Sequence, residues 1–196
     1  EIEQILTRFD KDYPSIIEDN FEGIYFTSKE NAWLDQVITN INLITDKYKR
    51  AIAFFALFQA CIIKRPYNLF HRKNLYMRLA DVERTFGNKT TWDKPFSSYF
   101  KQFSLEANNA IFDNNKTNNA MNKDVFEIEN NYDLVYIDTP YITSKGVGLD
   151  YRDFYHFLEG ITFYDIWENN IDFNSKHKRL LKSDNIWVDK KLIYSA

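Results

Sequence analysis

The run Ala51 to Ile63, AIAFFALFQACII, limits what this chain can fold into more than any other stretch. It is apolar on nearly every side of a helix, and a helix of that kind belongs in a protein interior. It is too short to span a membrane and is interrupted by Gln59, so a buried helix over about 46 to 64 is expected. The helix should stop at Arg65-Pro66, because the residue before a proline is pushed out of helical geometry. Upstream, Thr27-Ser28-Lys29-Glu30 has the spacing of a capping box, and Trp33, Val37, Ile41 and Ile44 recur at helical intervals. A second helix over about 29 to 44 follows, with the apolar helix central to it.

A chain of 196 residues, 44% of them hydrophobic, can bury a proper core as one domain or one domain with a small appendage. No basic, apolar leader precedes the first amphipathic segment, so no secretory signal is expected and a cytoplasmic protein is the default. The single Cys61 lies within the apolar run, leaving neither a disulfide framework nor a cysteine metal site. His71, His156 and His177 are scattered without metal-ligand spacing, so no metal is expected. The net charge of −3 hides an asymmetry. Residues 1–46 hold ten acidic and three basic residues, whereas residues 64–94 hold eight basic and three acidic ones. The second stretch is a candidate polyanion surface, a solvated face being the plain alternative.

From Arg65 to Pro95 periodicity is weak, and basic residues alternate with Tyr67, Phe70, Tyr76, Phe86 and Trp92. A structureless loop of that length is unusual in a compact domain unless it is functional. Helical spacing returns over Ser97 to Ile111, and the polar turn DNNKTNNA follows at 113–120. Two short strands are predicted, Val125–Ile128 and Leu134–Ile137, then a Gly-containing loop and a helix around Tyr151–Glu159. The basic run Lys176–Lys182 shows no clear pattern and reads as a solvated face, with a position along DNA as the alternative. This reads as a mainly helical region at 1–115 and an α/β portion at 116–196. In α/β sheets ligands sit at the carboxyl ends of strands, which is where Asp138-Thr139-Pro140-Tyr141 falls.

The stretch YDLVYIDTPYI, 132–142, places that cluster after an apolar run, and in this it resembles the DNA adenine methyltransferases. Their defining motif is Asp/Asn/Ser-Pro-Pro-Tyr/Phe after a buried strand. Thr139 stands where the family has proline, keeping the carbonyl and losing one rigid φ. NKDVFEI, 122–128, lies where the family places a strand ending in an acidic cofactor ligand, and residues 64–96 look like its Asn/Arg-rich DNA-facing segment. The resemblance covers roughly 20 to 160. It implies part of a Rossmann-like α/β methyltransferase fold with a mainly helical recognition region, S-adenosyl-L-methionine as cofactor and double-stranded DNA as partner. It also implies methylation of the exocyclic amino group of adenine in a restriction–modification system, with a cognate restriction endonuclease as a further partner.

By the resemblance, the Asp138 carboxylate and the Thr139 carbonyl accept the two amino hydrogens, Pro140 fixes the turn, and Tyr141 stacks on an extruded base. Asp124 and Val125 are the expected cofactor contacts, with turn capping by Asp124 as the alternative. Arg65, Arg72, Lys73 and Lys94 suit phosphates, and Arg65, Asn68, Arg72 and Asn74 suit base edges; loop-stabilising hydrogen bonds are the competing use of each. The family's Phe-x-Gly-x-Gly motif is missing: the five glycines are Gly23, Gly87, Gly146, Gly148 and Gly160, and Gly146-Val147-Gly148 reads as a loop. An N-terminal cofactor-loop segment is therefore expected to be absent from this chain. The competing readings are a DNA-binding module or inactive remnant that needs a partner to supply the cofactor site, and a helical interaction protein.

Overall fold

The computed structural model describes residues 2–8, 12–82, 88–128, 131–138, 142–143, 146–147 and 150–182. Eight helices lie among them: α1 (Ile2–Thr7), α2 (Ile16–Asn20), α3 (Ser28–Asn42), α4 (Lys47–Ile63), α5 (Leu75–Leu79), α6 (Asn88–Asp93), α7 (Phe96–Asn109) and α8 (Tyr151–Thr162). All eight belong to one of the two compact units into which the described residues fall. One gathers the described residues up to Ala110 and those from Asp150 onward; the other lies between Ile111 and Leu149.

In the first unit α4 and α7 form the most extensive helix pair. Asp46 caps α4, its carboxylate accepting from the Tyr48 and Lys49 amides at 2.9 and 3.1 Å. One face of α4 is buried through Ala53, Ala56, Leu57, Ala60 and Cys61, while Tyr48 and Phe55 on the other side remain exposed. The helix is thus less central than its composition suggests. Its small residues form a shallow row, against which a neighbouring helix can lie close. The core continues through Phe21, Phe26, Leu34, Ile38, Phe100, Phe157 and Trp167. Asp35 of α3, buried, accepts from the Ile17 and Glu18 amides, both at 2.9 Å, and from the Tyr164 hydroxyl. Burial lifts its carboxyl to about 6 against those hydrogen bonds.

The capping box at the start of α3 forms as its spacing requires. Glu30 N–H donates to Thr27 Oγ1 at 3.3 Å, and Thr27 N–H donates to Glu30 Oε2 at 3.0 Å. The same carboxylate takes a bidentate pair from Arg78 at 2.8 and 2.9 Å and the Lys64 ammonium at 2.9 Å. Lys64 and Arg78 also donate to the Trp92 carbonyl, at 2.7 and 3.1 Å, so one carboxylate ties together α3, the end of α4, α5 and the 92–94 segment. Burial pushes the Glu30 carboxyl upward, but the Arg78 hydrogen bonds and charge, with Thr27 and Lys64, hold it down at about 2. A depressed folded-state pKa stabilises above the unfolded value and is lost as pH falls through the window from about 4.5 toward 2. We expect a loss of about 2–3 kcal/mol across that window, read from urea midpoints, and a flatter profile for Glu30→Gln. An unchanged profile in the variant would show that Glu30 does not carry this acid sensitivity.

The second unit overturns the α/β expectation. Among the described residues, β structure is limited to the pairing of Ile142–Thr143 with Gly146–Val147 and an isolated Ile171–Leu180 bridge. Val125–Glu127 is a 3₁₀ turn, and Leu134 to Ile137 have no regular structure. Leu134 and Tyr136 are each 86% exposed, so the run expected as a core strand lies in solvent. The physical reason is pairing: a buried strand needs backbone partners at its edges and cover on its faces, and two short candidates provide neither. No Rossmann-like α/β sheet is present among the described residues. The polar 113–120 segment does turn, with Asp113 and Asn114 side chains accepting from amides two residues on, at 2.7 and 3.0 Å.

Candidate nucleic-acid interface

Past Ile63 the helix cannot continue, and Arg65 adopts extended geometry before Pro66 opens a 3₁₀ turn, Pro66–Asn68. Tyr67 and Asn68 then sit in the left-handed region at φ 65° and 57°. That conformation is costly for a bulky side chain and persists only where its surroundings over-determine it. Here they do. Asn68 N–H donates to the Arg65 carbonyl at 3.2 Å, and the Asn74 side-chain Nδ2 donates to the Pro66 carbonyl at 2.9 Å. Phe70 N–H donates to Phe154 of α8 at 2.8 Å, and the Asn74 and Leu75 amides reach the Ile24 carbonyl at 3.2 and 3.1 Å.

Arg65 is the keystone of this turn. Its guanidinium carbon lies 4.0 Å from the centroids of both the Tyr25 and Phe70 rings, and one terminal nitrogen donates to the Leu69 carbonyl. Burial lowers its pKa to about 9, so it keeps its proton at neutral pH. Beside it, the Tyr25 hydroxyl meets the Phe70 carbonyl at 2.5 Å, His156 Nε2 at 2.7 Å and the His177 carbonyl at 2.9 Å. His156 Nδ1 is buried with no partner among the described residues, and burial depresses the ring's pKa to about 3, so this histidine is neutral and structural.

The anchoring set and the outward set interleave. Arg65, Pro66, Phe70, Asn74, Leu75 and Arg78 are buried, whereas Tyr67, Asn68, Arg72, Lys73 and Tyr76 are exposed. Arg72 donates to His71 Nε2 at 2.8 Å and lies 6.0 Å from the Tyr67 ring. This corrects two of the expected DNA contacts. Arg65 and Asn74, each 1% exposed, have no surface to offer a duplex; one Arg65 terminal nitrogen and the Asn74 side-chain amide hold the loop instead. Asn68, Arg72 and Lys73 are displayed together on it. Lys94 is exposed on the α6–α7 connection, 4.5 Å from the Tyr99 ring and 3.5 Å from Gln102 Oε1.

In the second unit, Asp124 caps the Val125–Glu127 turn, its carboxylate accepting from Phe126 N–H at 3.0 Å. Asp138 is exposed, and Thr139, Pro140 and Tyr141 lie outside the described residues. Among the described residues no cluster of side chains could hold a metal, and no helix is long and apolar enough to cross a membrane. Sequence reasoning missed Tyr25 and His156, whose roles depend on partners 45 to 152 positions away. It also missed a hairpin at 171–180, signalled only by the turn-forming Asp172, Asn174 and Ser175.

No family model matches the chain, and no solved structure matches it. Among curated proteins it is similar to the Type II methyltransferase M2.HphI of Haemophilus parahaemolyticus, with 29% identity over 171 residues. The match takes in 80% of this chain and 50% of that protein, so the chain spans about half the length of its curated relative.

Proposed function

We propose that the chain is the DNA-facing and target-base portion of an adenine-specific DNA methyltransferase of a restriction–modification system. The observation that carries this is the similarity to a Type II methyltransferase over 80% of the chain. The interleaved loop supports it: a rigid, buried inner row presents Asn68, Arg72 and Lys73 outward, where cations position a duplex and an amide can read base edges.

An adenine amino nitrogen is a poor nucleophile because its lone pair is delocalised into the ring. In this reading the Asp138 carboxylate and the Thr139 carbonyl accept its two hydrogens and favour a tetrahedral nitrogen, so their contribution is positioning and electrostatics rather than strong-base chemistry. The base must first leave the duplex, at a cost of a few kcal/mol, and stacking on Tyr141 worth about 1–3 kcal/mol offsets much of it.

S-adenosyl-L-methionine is the methyl donor this reading implies, and it supplies an electrophilic sulfonium methyl when bound. The described residues do not by themselves fit it. The Asp124 carboxylate is engaged by Phe126 N–H, and Val125, Phe126 and Ile128 are 45%, 62% and 44% exposed, an open turn rather than a cleft. That observation favours the second reading, a DNA-binding module whose cofactor site comes from another polypeptide.

The test uses the full-length gene product with labelled S-adenosyl-L-methionine and duplex DNA, digested to nucleosides. We expect label on the adenine amino group. Duplex binding without methyl transfer supports the second reading, and no binding at any salt sinks both. Replacing Arg72 and Lys73 with alanine is expected to flatten the dependence of log K on log salt by about 2, since each phosphate contact contributes about 0.9.

A further inference from the structure

The basic run at the end of the described chain has a defined shape. Ile171 and Leu180, 3% and 4% exposed, pair as an antiparallel bridge, and Asp172 N–H donates to the Arg179 carbonyl at 2.8 Å. Within the hairpin, Ser175 N–H donates to the Asp172 carbonyl at 3.0 Å and Lys178 N–H to the Ser175 carbonyl at 3.1 Å. The Asp172 carboxylate accepts from Asn174 N–H at 3.1 Å and from Arg179 Nε at 3.2 Å. Lys178 is held at φ 55°, its ammonium 4.5 Å from the centroid of the exposed Phe173 ring. The hairpin is therefore rooted in the core and braced internally, with Phe173, Asn174 and Lys176 exposed and Lys178 half-buried.

Its place in the fold gives the lysines meaning. The Tyr25 hydroxyl that meets the Phe70 carbonyl of the basic loop also meets the carbonyl of His177, the residue between Lys176 and Lys178. The hairpin tip thus lies beside the loop that displays Arg72 and Lys73. The nearby carboxylates do not neutralise it. Asp153 faces His177 and Arg179 at 3.6 and 3.9 Å, and Asp172 is taken by Arg179. Among the described residues, Lys176 and Lys178 have no carboxylate within ion-pair distance. Two preorganised cationic elements meeting at one hydroxyl make a surface suited to a regularly charged polyanion.

We propose that the hairpin Ile171–Leu180 is a second DNA-contacting element, gripping duplex phosphates through Lys176 and Lys178 alongside the loop that carries Arg72 and Lys73. This rests on the DNA reading above. The test measures binding of the full-length protein to a labelled duplex by fluorescence anisotropy from roughly 50 to 200 mM salt. Lys176→Gln with Lys178→Gln is expected to flatten the log K against log salt slope by about 1.8, at about 0.9 per phosphate contact. The paired arginine variant should keep the wild-type slope, since it preserves charge. Lys47→Gln with Arg50→Gln makes the same charge change at the start of α4, roughly 25 Å along that helix from Arg65, and should leave the slope alone. The proposal is overturned if the two glutamine pairs behave alike, if the hairpin pair leaves the slope intact, or if the arginine pair flattens it too. A wild-type protein that binds no DNA at any salt fails the DNA reading itself, a different result from each of these.

Discussion

On the proposed reading, Asp138→Ala is expected to lower methyl transfer to adenine by about 10²–10³-fold, or roughly 3–4 kcal/mol, while DNA affinity stays within about twofold. That size is typical for removing one preorganised polar group from a reacting centre. The Asp138 side chain is exposed, so the fold should survive its truncation. Asp138→Asn keeps one acceptor oxygen and loses the charge, and should fall between alanine and wild type. Single-turnover methylation with enzyme in excess checks both, because it reads the chemical step apart from product release. An alanine variant with wild-type single-turnover rate would remove Asp138 from the mechanism.

Gly160→Ala should destabilise the first unit by about 2–4 kcal/mol, although the same change inside a helix ordinarily gains up to about 1 kcal/mol. A Cβ at Gly160 of α8 would lie 1.9 Å from Trp167 Cε2 and 2.2 Å from Nε1. Trp167 has no room to yield. It is fully buried, with ring centroids 4.9 Å from Phe21 and 5.3 Å from Phe157. For a chain of this size the expected fall in Tm is roughly 5–15 °C, measured by calorimetry. An unchanged or higher Tm would mean that the indole does not pack against α8.

Much of the helical region was legible because its signals are local. Thr27 and Glu30 are three residues apart and meet in the capping box whatever else the chain does. Arg65-Pro66 ends α4 through a steric clash between neighbours. The strands were not legible in the same way. Leu134 to Ile137 have strand composition, but a strand is completed by another segment's backbone, and an apolar run does not say whether that segment is there. The candidate interface was half legible. Its basic and aromatic composition marked residues 64–94, but nothing in the spacing of Arg65 and Arg72 separated the anchor from the displayed side chain.

The sequence by itself determined where α3 and α4 begin and end, that an aromatic-rich basic loop follows, and that Asp138-Thr139-Pro140-Tyr141 stands behind an apolar run. Only the tertiary structure decided that Arg65 turns inward between Tyr25 and Phe70, that Glu30 joins α3 to Lys64 and Arg78, and that the Lys176–Lys178 tip comes to rest beside the loop. The reason is distance along the chain. Caps and breaks act between residues a turn apart, whereas a hydroxyl shared by residues 25, 70 and 177 exists only after the core has brought them together.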